Sequence, residues 1–103
     1  MATTDEKRMY AAVGSLPCQR CEAMGMDQTS RTTVAHSNQL MHGKGRGLKA
    51  PWWRVAALCE QCHIEIDQGN RLSKIERREQ WNEAHDMTIS TLFAKGLLRP
   101  AAP

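Results

Sequence analysis

Short apolar runs, separated by polar, glycine-rich and cysteine-bearing stretches, predict the elements of this chain one by one. Met9, Tyr10, Ala12 and Val13 share the first 14 residues, which read as a short helix or a frayed arm that packs on whatever lies beneath. The β-branched run from Arg31 to Ala35 predicts a strand leading into His36. From Ser37 to Pro51 glycines and charges exclude a regular element and predict a long loop, which inside a small domain is usually functional. Trp52 to Leu58 predicts a second strand that delivers the chain to Cys59.

Beyond that strand the pattern turns helical. His63 to Asp67 is expected to form a helix ended by Gly69 as a left-handed cap. Ser73 and Glu76 have the spacing of a capping box, so a further helix is predicted to start at 74. It should run through Trp81 and Ala84 toward Leu92 and Phe93 and close at Gly96. A break over Asp86 to Thr88, with Thr88 capping a separate final helix, is the alternative. The chain thus divides into an arm or short helix over 1–14, a core over 15–70, a helical segment over 71–98 and a tail over 99–103.

At 103 residues, 41% hydrophobic, with one Phe, one Tyr and three Trp, the expected core is thin. A domain of this size gains from a metal staple, because apolar burial alone leaves little net stability. The four cysteines supply one, as Cys18 and Cys21 form one C-x-x-C knuckle and Cys59 and Cys62 another. The two-residue gap lets both thiolates of a knuckle face one ion, so the reading is a single tetrahedral structural zinc. Disulfides and a redox dithiol compete for the same pattern, although a redox motif would be expected beside a βαβ unit that is not visible here. Residues 22–58 separate the knuckles, well beyond the roughly 15 to 20 of a compact zinc ribbon, so something is inserted between them.

Net charge is +3 with a pI near 8.8, a mild bias compatible with nucleic acid. Its distribution is more telling: Lys44, Arg46, Lys49 and Arg54 are interleaved with glycines and no acid. A second cluster, Arg71, Lys74, Arg77 and Arg78, is offset by Glu76 and Glu79 and reads as a solvated helix face. The polar start lacks a secretory pattern and no stretch is long enough to span a bilayer, so a soluble intracellular protein, with no membrane partner, is expected. A reducing compartment in turn favours metal over disulfides.

His63 and Asp67 are four apart on the predicted helix, which presents an imidazole and a carboxylate to one point. Nitrogen and carboxylate oxygen on one ion, with positions left open, is the composition of a metal-assisted hydrolase rather than of a closed structural site.

With His36 delivered by a hairpin above that helix, the arrangement resembles the ββα-metal fold of HNH endonucleases. Val34-Ala35-His36, the Gly43 to Lys49 stretch and Leu58 to Asp67 look like the small phage and prophage nucleases of the YbcO-like group. The resemblance covers about residues 15–70. It implies an α+β fold: a small zinc-stabilised ββα-metal domain with a β-hairpin, a metal-holding helix and a C-terminal helix. It also implies a metal-dependent endonuclease that hydrolyses DNA phosphodiester bonds. His36 would be the general base, since an imidazole titrating near neutrality can accept a proton from water. His63 and Asp67 would hold a catalytic Mg²⁺, Mn²⁺ or Zn²⁺, and the cysteines would clamp hairpin to helix. Lys44, Arg46 and Lys49 would contact DNA phosphates without sequence choice.

One position departs from the wider HNH pattern: Ala35 stands where an Asp or His often adds a metal ligand. Water, substrate phosphate or His42 would then fill the gap. Plainer readings exist for each residue: His63 as a capping or outer-sphere group, His36 as a strand-end residue, Asp67 as a surface acid. Trp52 and Trp53 fit hairpin packing better than base stacking, with shielding of the zinc a further role, and His85 fits half-buried packing. The competing function is a non-catalytic zinc-knuckle module that binds nucleic acid or protein. Small nucleases that cut both strands often form homodimers, but no interface is marked in the sequence.

Overall fold

A computed structural model describes residues 4–37 and 51–98 and gives the order α1 (Thr4–Gly14), α2 (Gln19–Met24), β1 (Thr32–His36), β2 (Val55–Cys59), α3 (Glu60–Asp67) and α4 (Lys74–Ala94). The protein is a small α+β unit in which β1 and β2 pair antiparallel, with Thr33 opposite Leu58 and His36 opposite Val55. Residues 38–50 of the expected loop, with His42, Lys44, Arg46 and Lys49, and the 99–103 tail lie outside the described residues.

Strand alternation divides the interior in two, because successive side chains leave a strand on opposite faces. Ala35, Ala56 and Leu58 point to one side, where they meet the four cysteines, Ile66 of α3, and Trp81 and Ala84 of α4. Val55 and Ala57 point to the other, against Met9, Val13, Leu16 and Leu92, with Val34 packed alongside. All five residues of β2 are buried. Covered on both faces, β2 therefore reads in the sequence as a continuous apolar run rather than an alternating one.

Helix α4 also closes the outer edge of β2. The Ala57 N–H donates to Thr88 Oγ1 (3.0 Å), whose hydroxyl donates to Ala84 O (2.6 Å). The ring of His85 lies with Nδ1 2.7 Å from the Val55 carbonyl and stacks on Trp81. Edge groups that would otherwise be orphaned are thus satisfied by one helix face.

The structure corrects several expectations. There is no break at 86–88: α4 is continuous to Ala94, and Thr88, fully buried, caps nothing because its hydroxyl serves the strand edge. The second strand begins at Val55 rather than Trp52, since Trp52 and Trp53 form a turn in which the Arg54 N–H bonds Pro51 O. Trp52 packs with the α1 cluster and Trp53 is exposed, so Trp81, not either of them, shares the cysteine cluster. The helix of the second knuckle starts at Glu60, its free N–H groups received by Arg31 O and Ser30 Oγ. Gly69 is not a left-handed cap, for the positive-φ residues are Gly25 and Gly96 alone among those described. A glycine is required at 69 because a Cβ there would lie 2.6 Å from the Glu65 carbonyl oxygen. The capping box is formed: Ser73 Oγ accepts from the Glu76 N–H, and Glu76 Oε1 accepts from the Ser73 N–H. At the far end Gly96 (φ 71) lets the Leu97 N–H return to Leu92 O.

Candidate metal centres

The two knuckles reach one point from different elements. Cys18 is the N-cap of α2 and Cys21 lies inside it, while Cys59 ends β2 and Cys62 sits in the first turn of α3. Within the first knuckle Cys18 Sγ accepts the Cys21 N–H, and Gly25 in the left-handed region ends the short helix. Gln28 braces the same turn, accepting from the Cys18 N–H and donating to Ser30 O and Thr32 Oγ1. The stretch between the knuckles contains the rest of α2, β1, the strand connection and β2 as far as Leu58.

All four sulfurs are buried and lie within 4.8 Å of one another, the one such group of ligand atoms among the described residues. Cys21 Sγ is 3.7 Å from Cys62 Sγ and 3.9 Å from Cys59 Sγ. A tetrahedron with metal–sulfur bonds of about 2.3 Å has edges of about 3.8 Å, so these spacings suit a tetrathiolate zinc site. They are far beyond the roughly 2.05 Å of a disulfide, and the four cysteines are free. Desolvation and neighbouring sulfurs push the Cys21 thiol up and Cys62 up to about 11, despite the Arg20 hydrogen bond on the latter. Desolvation opposes ionisation of Cys59 too, but the Cys62 N–H and Ser30 hydroxyl bring it down to about 7. Four sulfurs this close cannot all ionise without a cation among them, so the donor set fits a divalent metal.

Arg20, inside the first knuckle, is the main residue that sequence reasoning missed. Only 7% exposed, it donates from Nη1 to Cys62 Sγ (3.3 Å) and Glu65 Oε2 (2.5 Å), and from Nε to Gln80 Oε1 (2.7 Å). The guanidinium ties α2 to α3 and α4, and it would offset part of the two net negative charges that a tetrathiolate zinc carries. A cation placed between the two cysteines of one knuckle was the available signal.

Of the residues expected at a second centre, His63 and Asp67 are neighbours. His63 Nε2 lies 3.8 Å from Asp67 Oδ2 on α3, and each side chain is about a third exposed, 33% and 36%. His63 Nδ1 is 3.2 Å from Thr33 Oγ1 on β1. His36 is not gathered with them, since no His, Cys, Asp or Glu group of three beyond the cysteines assembles among the described residues. The reason is strand alternation: Thr33 and Ala35 face α3, whereas His36 faces α1, where Tyr10 OH lies 2.9 Å from its Nε2. Ala35 is thus the buried β1 side chain on the α3 side, one position before the histidine.

Compared with models of known protein families, with curated proteins and with solved structures, the chain matches none. No helix among the described residues is long and apolar enough to cross a membrane.

Proposed function

We propose that this chain is a metal-dependent endonuclease of the HNH, ββα-metal kind, encoded by a phage or prophage and hydrolysing DNA phosphodiester bonds, in which a structural zinc holds the scaffold and a second divalent ion does the chemistry. The observation that carries it is the His63–Asp67 pair: a nitrogen and a carboxylate oxygen 3.8 Å apart, partly exposed, on the helix that also carries Cys62. That separation is too long for a direct hydrogen bond and leaves room for a cation between the two atoms, at about 2.0–2.2 Å from each after a small side-chain rotation. Two protein ligands leave positions for water and a phosphate oxygen, whereas the cysteine cage is closed.

In this reading His63 and Asp67 would hold a Mg²⁺, Mn²⁺ or Zn²⁺ ion, which would supply charge stabilisation at the scissile phosphate and leaving oxygen. His36, exposed at the end of β1, takes the proton of the attacking water, with Tyr10 holding its ring. The cage fixes α3 against β2, and so fixes His63 and Asp67 relative to the strand that ends in His36. Lys44, Arg46 and Lys49 supply phosphate contacts.

A specific observation favours the second reading, a zinc-stabilised binding module without turnover: His36 and α3 stand on opposite faces of the hairpin. Incubation of the zinc-loaded protein with supercoiled plasmid and Mn²⁺ or Mg²⁺ separates the two. Nicking that is lost in both His36→Ala and His63→Ala supports the nuclease. No nicking with either ion, alongside salt-sensitive DNA binding, selects the binding module.

A further inference from the structure

Thr33 on β1 touches both the Leu58 carbonyl and the His63 ring. A threonine hydroxyl has one proton to give, and Thr33 Oγ1 lies 2.8 Å from the carbonyl oxygen of Leu58, its partner across the hairpin. A carbonyl only accepts, so the proton is committed there. The contact of 3.2 Å between the same oxygen and His63 Nδ1 is then attractive only if Nδ1 donates. A neutral imidazole carries a single N–H, so with Nδ1 protonated the lone pair is on Nε2, the nitrogen that faces Asp67 Oδ2.

We propose that Thr33 is a positioning residue: by committing its hydroxyl to Leu58 it locks His63 in the Nδ1–H tautomer and aims the Nε2 lone pair at a divalent cation shared with Asp67. The inference rests on the reading of His63 and Asp67 as a cation site. Its physical basis is that a ligating histidine is set by the partner of its other ring nitrogen. The hairpin does more here than carry side chains toward the helix. A backbone carbonyl of β2 orients a hydroxyl of β1, which orients an imidazole of α3.

The test uses zinc-loaded full-length protein with Thr33→Val, which keeps the branched shape without the hydroxyl, and Thr33→Ser, which keeps the hydroxyl. Long-range proton–nitrogen correlation spectra report the His63 tautomer without any added ion, and Mn²⁺ titration reports affinity. Wild type and Thr33→Ser are expected to show the Nδ1–H form, and Thr33→Val to lose its dominance and bind Mn²⁺ about 10- to 100-fold more weakly. An Nε2–H tautomer in wild type overturns the proposal whatever the affinity. Tautomer loss in Thr33→Val with unchanged Mn²⁺ affinity overturns it as well. If wild type shows the Nδ1–H form but binds no Mn²⁺, the cation site itself is refuted, and the positioning role falls with it.

Discussion

Replacing Thr88 by valine tests the idea that α4 completes the sheet through a single hydroxyl. The two side chains have nearly the same shape, so the fully buried position stays filled. What is lost is the acceptor for the Ala57 N–H, now 3.0 Å from Thr88 Oγ1. Ala57 is 0% exposed, so water cannot replace it. Losing the hydroxyl's donation to Ala84 O matters less, because that carbonyl already sits within the helix. An orphaned buried donor costs about 1–3 kcal/mol, a sizeable share of the roughly 5–15 kcal/mol that stabilises a domain of this size. At about 4–8 °C per kcal/mol, a loss near 2 kcal/mol lowers Tm by roughly 8–16 °C. Thr88→Ser is the control, since it keeps the acceptor and loses only a methyl, about 1 kcal/mol. Both are measured by thermal unfolding at one fixed free-zinc concentration, because metal binding adds to apparent stability. Hydrogen exchange locates the effect: the Ala57 amide should exchange faster in Thr88→Val and stay protected in Thr88→Ser. A valine variant as stable as wild type, with that amide still slow, refutes the reasoning.

Two further outcomes follow from the geometry. Removing the metal with a strong chelator should unfold the domain cooperatively, because the cysteines hold α2, β2 and α3 together at the centre of one core cluster; far-UV circular dichroism unchanged after complete zinc release would contradict this. The Ser73 N–H and hydroxyl hold the Glu76 carboxyl below its ordinary value, so its contribution is present above the unfolded-state pKa of about 4.3 and fades as pH falls through the lower folded value. Glu76→Gln should therefore flatten the acid limb of the stability–pH curve, and an acid limb as steep as wild type would show that the capping box carries no such linkage.

Much of the local structure was legible in the sequence because its causes are local. The Ser73–Glu76 box starts α4, Gly96 ends it, the β-branched run after Arg31 forms β1, and each C-x-x-C knuckle turns its own two sulfurs to one side, each through residues within a few positions of each other. Helix α2 was not anticipated, since its six residues are held by a sulfur cap, Gly25 and the buried Arg20 rather than by a periodic pattern. Thr88 looked like a cap for the same reason that it is not one: its hydroxyl can bond any nearby backbone group, and only the placement of β2 shows which.

The sequence by itself determined the ligands of the cage and the i, i+4 relation of His63 to Asp67, because metal-ligand spacing and helical periodicity are properties of neighbouring residues. Only the tertiary structure decided which face of the hairpin each residue serves. Register pairs Thr33 with Leu58 and His36 with Val55, and the pleat then sends Thr33 toward α3 and His36 toward Tyr10. A strand has two faces and its sequence does not say which helix will cover each. That choice was made by the cysteines drawing α3 to one side of the hairpin and by Met9 and Val13 drawing α1 to the other.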